Sequence, residues 1–461
     1  MSREGLRFGK GGGLKGFDKA TVREALSAHA AIGLLAGALL YLVCLTGTIV
    51  VFYAEWQRIE QPAAPEMADI APQAVQRGVD AVLASEKGKP LTTHLFVHMP
   101  VPDLPRTTIT TDSQAVHLRA DGSIAMPEEN AWSDFLLILH YTLHLPSTFG
   151  MVLVAILGVM IVALAISGVV AHPRIFRDAF RLRARDTGGV GLADWHNRLG
   201  VWTLPFVIAI AMTGAMIGLA LITGYGLATS FYKGDMEAVY APIFGGEGKP
   251  DKARGPTPDV SAVIRYMQAH HPGERIGYIT LHDPLTAGQH VQIMTIHPNR
   301  LIFGEYYMFD ARGRLESKAG LSDGAMGQQA AASAYNLHFG NYGGLPVKVA
   351  YALFGLALSA MTATGVSIWL AKRRRRGIDQ PRLTRAWDAV VWGTPVALIL
   401  TFLVRQWVGN GAPLIATFWG SLAAILLVSP FVGDGRRFAR ALQWLLGAGV
   451  AAGAMGFVAA L

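Results

Sequence analysis

The sequence predicts an α-helical integral membrane protein, built by duplication, with two folded segments outside the membrane and three further transmembrane helices at its C-terminal end. Three observations carry this reading. Of 461 residues, 52% are hydrophobic and 16% charged, and the mean hydropathy is +0.34, a balance that fits a membrane protein better than a soluble one. Seven stretches are apolar for about 20 residues, the length a helix needs to cross a hydrocarbon core of ~30 Å. The order of span, polar segment and span also occurs twice, with the same residues at its joints.

The seven spans fall near 30 to 53, 147 to 171, 198 to 224, 346 to 371, 388 to 408, 413 to 432 and 439 to 460. Residues 1 to 25 form a polar, glycine-rich tail. Residues 26 to 224 hold the first repeat and the start of the second, with one folded segment at 54 to 139. A second folded segment occupies 225 to 337, span four lies within 338 to 376, and 377 to 461 make a three-helix membrane module. The first span lacks a small-residue cleavage site of the A-x-A kind, so it reads as a retained anchor.

Basic residues beside spans stay on the cytoplasmic side. That places the N-terminal tail, the loop HPRIFRDAFRLRARD, the run KRRRRGIDQPRLTR and the segment GDGRRFAR inside. Both folded segments and the C-terminus are then outside. The net charge of +8 is largely this sidedness signal and gives no reason to invoke nucleic acid. Cys44 is the single cysteine. One thiol excludes an intramolecular disulfide, an iron–sulfur cluster held wholly by this chain's thiolates, and a C-x-x-C-H haem attachment.

The duplication is visible in its punctuation. HAAIGLLAGALLYLVCLTG runs from His29 to Gly47, and HNRLGVWTLPFVIAIAMTG from His196 to Gly214, each with a glycine four residues in and Thr-Gly at the close. LHYTLHLPSTFG at 139 to 150 and LHFGNYGG at 337 to 344 each precede another span. His140 stands 18 residues before Gly158, and Gly168 of Ser-Gly follows ten later; His338 stands 17 before Gly355, and Gly365 of Thr-Gly follows ten later. The outside segments match as well. VDAVLAS and SAVIRYMQAHH read as short helices, followed by alternating strands such as LTTHLFVHMP or HVQIMTIHP and the turns RADGSI or DARGRL.

Spans one and three run in the same direction, so the repeats are parallel and related by a pseudo-twofold axis along the membrane normal. Symmetry then pairs His29 with His196 on the inner side and His140 with His338 on the outer side. Two imidazoles facing each other across such an axis can fill both axial positions of one iron, and two pairs would hold two haems in a four-helix bundle. Against this stands the plain reading of a histidine beside a span as an interfacial side chain. The glycines likewise read either as room for a flat macrocycle or as ordinary close helix packing.

His172, whose counterpart is Trp369, sits at the inner end of span two and reads as a ligand or a propionate partner. His144, one helical turn after His140, is the alternative outer ligand, with His140 preferred because Leu-His recurs at 337 to 338. Arg174, Arg185 and Arg198 read as propionate partners or as solvated topogenic charge. The histidines of the outside segments (His94, His98, His117, His270, His271, His282, His290 and His297) are read as surface or strand residues. GKGGGLKG follows no strand and opens no dinucleotide-binding unit.

HAAIGLL with LTG, LHYTLHLP, SGVVAHPRIFRDAFRLR, DWHNRLGVWTLPF with MTG, and LHFGNYGG with TGVSIWLAKRR resemble the PepSY-associated transmembrane family over residues 25 to 376. The resemblance implies iron-regulated inner-membrane proteins of the ferric-siderophore reductase kind, with two haem b groups and PepSY-like lobes outside. It matches His29, His140, His196 and His338 to recurring axial histidines, and His172 to a histidine of the subgroup with the HPRIFRDAF loop. The expected activity is electron transfer across the inner membrane to a ferric siderophore or other ferric chelate held between the lobes, releasing Fe(II). The electron donor would be a membrane quinol or a separate flavoprotein. Two readings from other classes are a non-redox membrane protein whose lobes bind or regulate a periplasmic peptidase, and a transporter built on the repeat. Spans one to four hold almost no buried carboxylates, which weakens the transporter.

Overall fold

In a bilayer every backbone N–H and C=O has to be satisfied within the chain, so long apolar stretches become helices. The computed structural model describes residues 18–172, 176, 190–246, 250–297 and 299–460. Among them are seven helices long and apolar enough to cross a membrane, at the places the apolar stretches predict. These are α1 (Lys19–Val50), α5 (Ser147–Ala171), α7 (Leu204–Phe231), α11 (Gly344–Arg375), α12 (Pro381–Val408), α13 (Leu414–Val428, extended by a 3-10 turn to Phe431) and α14 (Gly435–Ala460). Several run past the apolar core into charged residues. Asp18 caps α1, its Oδ1 accepting from the Thr21 N–H at 2.7 Å, and α11 continues through Lys372–Arg375.

One difference from the sequence expectation bears on the site. The third span does not begin at 198: a separate helix α6 (Val190–Trp202) precedes it, and Thr203 separates the two. Pro205 is the physical reason, because it has no N–H to donate to the preceding turn. His196 therefore belongs to α6.

The chain divides into two compact units. The first comprises residues 1–51, 131–219 and 349–461. Within it the first four spans close a ring. α1 packs on α5, where His29 reaches Leu164. α5 packs on α7, where a Cβ added at Gly158 would lie 3.0 Å from the Ala211 carbonyl oxygen and 3.4 Å from the Ala215 Cβ. α7 packs on α11 through Phe206, whose ring centre is 5.1 Å from that of Tyr351. α11 returns to α1, where Gly355 lies against Thr48. Gly158 and Gly355 are repeat equivalents, as are Ala215 and Thr48, so the duplication seen in the sequence is a duplication of contacts.

The C-terminal module is built onto this ring. The Tyr41 hydroxyl donates to the Val391 carbonyl at 2.7 Å, and the Trp387 indole donates to the Ala363 carbonyl at 3.0 Å. The short helix α4 (Ala131–Thr142) joins it too, with the Trp132 indole donating to Thr401 Oγ1 at 3.0 Å and Phe135 packed on Phe418.

The second unit comprises residues 52–130 and 220–348. Here the sequence expectation of two separate lobes needs correction. Each half is a helix followed by a four-stranded meander. In the first half this is α3 (Pro72–Ser85), then β1 (His94–His98), β2 (Thr108–Thr110), β3 (Ala115–Leu118) and β4 (Ile124–Pro127). In the second it is α9 (Val260–His270), then β5 (Arg275–His282), β6 (His290–Ile296), β7 (Tyr306–Asp310) and β8 (Leu315–Ala319). The halves join as one antiparallel sheet in the order β4-β3-β2-β1-β5-β6-β7-β8. β1 pairs with β5 from His94↔His282 to His98↔Tyr278. Pairing satisfies the edge of both first strands, which would otherwise expose a row of unpaired backbone groups.

One core spans both halves. Val75, Val79 and Val82 of α3 and Val263, Ile264 and Met267 of α9 pack with Leu95, Val97, Ile279, Leu281, Val291 and Ile293 from alternate strand positions. The predicted turns fall between β3 and β4 and between β7 and β8, with Gly122 at φ 86° and Gly313 at φ 77°, a backbone region glycine enters at little cost.

Candidate functional site

His29 on α1 and His196 on α6 face each other across the bundle, with ring centres 6.3 Å apart and ring planes at 89°. Two imidazoles on opposite faces of one metal, each bonded through a ring nitrogen at about 2 Å, put their ring centres roughly 6 Å apart. The two histidines that the duplication pairs are therefore close together, at a ring-centre separation compatible with bis-imidazole ligation.

The second nitrogen of each ring is held by the neighbouring span. His29 Nδ1 lies 3.0 Å from the Leu164 carbonyl and 3.2 Å from Ser167 Oγ, and its Cε1 would be 3.3 Å from a Cβ at Gly168. His196 Nδ1 lies 3.1 Å from Thr364 Oγ1, and its Cε1 would be 3.5 Å from a Cβ at Gly365. His140, in the last turn of α4, repeats the pattern against α1. Its Nδ1 is 3.1 Å from the Val43 carbonyl and 3.4 Å from Thr46 Oγ1, and a Cβ at Gly47 would be 2.7 Å from its Cε1. Three of the four predicted histidines thus lie on the Ser/Thr-Gly dipeptide of another span, with Nδ1 engaged. Anchoring the second ring nitrogen on a carbonyl or hydroxyl is the usual outer-shell arrangement of a metal-ligating histidine.

His338 lies in the last turn of α10 (Met326–Phe339), in the second unit, its ring 5.6 Å from that of Phe339. His144, the alternative outer ligand, lies in the turn between α4 and α5. Leu143 and His144 both take left-handed backbone, at φ 57° and 56°. The His144 Nε2 donates to the Phe135 carbonyl at 2.9 Å and its ring stacks on Phe135 at 4.8 Å, which ties the α4–α5 turn together. His172 is the C-cap of α5, four residues beyond Gly168 and so one turn further along the same helix face.

Arg198 is 9% exposed, and neither its Nε nor its Nη2 has a hydrogen-bond partner among the described residues. Its guanidinium lies 5.9 Å from the Trp195 ring centre and 5.5 Å from that of Trp202. Nε and Nη2 form the edge of the fork that takes a carboxylate in two parallel bonds, so Arg198 fits an acidic group such as a propionate. Two residues on from His196, it occupies another flank of α6. Arg174 and Arg185 lie outside the described residues, as does GKGGGLKG.

Sequence reasoning noticed the recurring glycines and passed over the hydroxyl before each. The signal was present: Thr46, Ser167, Thr213 and Thr364 all immediately precede a repeat glycine. Cys44 is buried and free. Among the described residues no three His, Cys, Asp or Glu side chains gather as a metal-ion site; a haem needs two axial ligands, so the His29–His196 pair is compatible with it.

An uncharacterised protein of Pseudomonas aeruginosa is 29% identical to the chain over 255 residues, covering 52% of this chain and 64% of that protein. The chain thus spans less than two thirds of that relative's length. The profile of the PepSY-associated TM region matches residues 26–372, an interval that contains the four spans of the ring, both halves of the sheet and every histidine discussed above. The chain is a multi-pass membrane protein that belongs to the PepSY-associated TM region family.

Proposed function

We propose that the protein is a di-haem b electron conduit of the bacterial inner membrane that reduces a ferric siderophore or other ferric chelate on the periplasmic side. The observation that carries this reading is the His29–His196 pair, 6.3 Å apart with both Nδ1 atoms engaged. These two residues would hold one haem on the cytoplasmic side. The repeat symmetry of the sequence assigns a second to His140 and His338 on the outer side. A bound haem with both axial positions filled by protein supplies one-electron carriage and no open coordination site.

The chain's own residues do the rest. His29 and His196 are both partly buried within the bundle. The Ser/Thr-Gly dipeptides orient the imidazoles, and Arg198 offers a buried positive fork to an acidic group. On the outer side one electron would convert the substrate's Fe(III) to Fe(II), which hard oxygen donors hold less tightly, and the iron would leave its chelator. A membrane quinol or a separate flavoprotein would supply the electron, and the bilayer is the protein's solvent.

The visible spectrum of the detergent-purified protein tests the reading. Two low-spin b-type haems per chain, reoxidised by ferric chelates, are expected. A colourless protein from haem-replete cells would overturn it and leave regulation of a periplasmic peptidase as the reading to pursue.

A further inference from the structure

Three of the hydroxyls before the repeat glycines, those of Thr46, Ser167 and Thr364, each have two relations, and together these decide where a proton sits. Thr46 Oγ1 donates within its own helix to the Leu42 carbonyl at 2.9 Å, with Val43 at 3.1 Å. Thr364 Oγ1 donates to Ala360 at 2.8 Å, with Met361 at 3.1 Å, and Ser167 Oγ donates to Leu164 at 3.2 Å. A hydroxyl has one proton and two acceptor sites. With the proton committed to the helix, the oxygen can only accept from the imidazole beside it. The Leu164 and Val43 carbonyls that share the Nδ1 of His29 and His140 are also pure acceptors. In these two cradles the carbonyl stands four residues before the glycine and the hydroxyl one before. Nδ1 must then carry the hydrogen, since the other tautomer would set its lone pair against the oxygen lone pairs: two at His29 and His140, and that of Thr364 Oγ1 at His196. Nε2 is left with the lone pair.

We propose that Thr46, Ser167 and Thr364 are positioning residues that fix the tautomer of His140, His29 and His196 and, by accepting from Nδ1–H, lower the reduction potential of the haem each histidine holds. This rests on the haem reading given above. Accepting from Nδ1–H gives the imidazole partial imidazolate character and makes Nε2 a stronger donor, which favours Fe(III) over Fe(II). Two features set it apart from ordinary helix packing. The oxygen is consumed by the helix as a donor and by the histidine as an acceptor, and the arrangement recurs at three sites. Thr213 makes the same intrahelical bonds, to Ala209 at 2.7 Å and Ile210 at 3.2 Å, so the hydroxyl geometry is common to the three Thr-Gly dipeptides.

The test is spectroelectrochemistry of the purified full chain carrying Thr364→Val, Ser167→Ala or Thr46→Val, with electron paramagnetic resonance of the oxidised protein. Valine keeps the shape of threonine and removes its oxygen. Thr364→Val and Ser167→Ala are each expected to retain both haems, to move only the inner haem's midpoint upward and to shift its g values. Thr46→Val should do the same to the outer haem alone, and Thr364→Ser should restore the native midpoint. If Thr364→Val does not assemble, Ser167→Ala reads the same haem through the opposite ligand. Midpoints and g values unchanged in all three, with two low-spin haems present, would overturn the inference while leaving the haem reading intact. A wild-type protein without haem would instead remove the reading on which it rests.

Discussion

The imidazole of His140 lies so close on Gly47 that a Cβ there would sit 2.7 Å from its Cε1. The equivalent distances are 3.3 Å for Gly168 beneath His29 and 3.5 Å for Gly365 beneath His196. A real Cβ does not approach a ring carbon to 2.7 Å, so Gly47→Ala forces His140 aside, an overpacking that typically costs about 1–3 kcal/mol. At 3.5 Å an added methyl is in ordinary contact. The expected order of damage is therefore Gly47→Ala, then Gly168→Ala, then Gly365→Ala. Haem content and the fraction converted to high-spin in the three purified variants measure it, and equal effects would show that the glycines serve helix packing only.

Two haems per chain should be extracted completely by acid acetone, because Cys44 is the single thiol and lies buried within α1. A covalent residue of haem in the protein pellet, or a stoichiometry of one, contradicts the two-site assignment.

Single ligand replacements separate the two sites. His196→Ala should remove or convert to high-spin the haem paired by His29, and His338→Ala only the other. His172→Ala is the informative control, since His172 caps the end of α5 while His29 and His196 already face each other; haem content should stay at two. Loss of both haems from a folded His196→Ala protein would refute assignment by pairs.

What the sequence showed and what it hid divide along physical lines. Spans are legible because length and apolarity alone decide them, and the repeat is legible because histidine and glycine recur at fixed offsets. The β1–β5 pairing was not legible. It joins strands from the two halves of the duplication, and His94↔His282 leaves no local trace beyond two ordinary strand patterns. The break before α7 was available in Pro205 and was hidden by unbroken apolarity. The hydroxyl cradles were visible as Thr-Gly and Ser-Gly, but their meaning needs the neighbouring helix, because the intrahelical bond that commits the proton is a matter of geometry.

The sheet-bearing unit should lose stability in mild acid. His117 is buried between Thr108 Oγ1 and Gln61 Oε1, each at 3.0 Å, and burial, then the Arg106 charge, pulls it down to about 4. His282 is also pulled down to about 4, first by burial and then by His290, stacked on it at 4.3 Å, and His94. A histidine with a depressed folded value is neutral in the folded state and takes a proton more readily when unfolded. Its contribution is fully present above pH ~6.5 and is lost as pH falls toward about 4, at up to ~1.4 kcal/mol per pH unit for each group. Denaturant unfolding of the full chain, followed by tryptophan fluorescence at pH 7.5, 6 and 5, should show a falling midpoint. His117→Gln should flatten part of that slope, and a midpoint constant over the range would mean that these histidines take up protons as readily folded as unfolded.

The proposed direction of transfer rests on sidedness. The basic segments HPRIFRDAF and KRRRRG flank the ends of spans two and four nearest Gly168 and Gly365, and these glycines carry His29 and His196. The proposed function takes these basic flanks as cytoplasmic, with that pair inside and His140, at the opposite end of α1, outside with the polar segments. Protein reduced in sealed, right-side-out vesicles should then pass electrons to a ferric siderophore that cannot cross the membrane, and a ferrous chelator outside should capture the iron. The second unit mixes both signs of charge on its surface, as in Arg314 with Asp310 and Arg58 with Glu66. The rate should therefore depend only modestly on salt, since no large single-sign field is available for steering. Anaerobic reoxidation that a panel of ferric chelates does not accelerate over buffer would count against a reductase and in favour of a regulatory role.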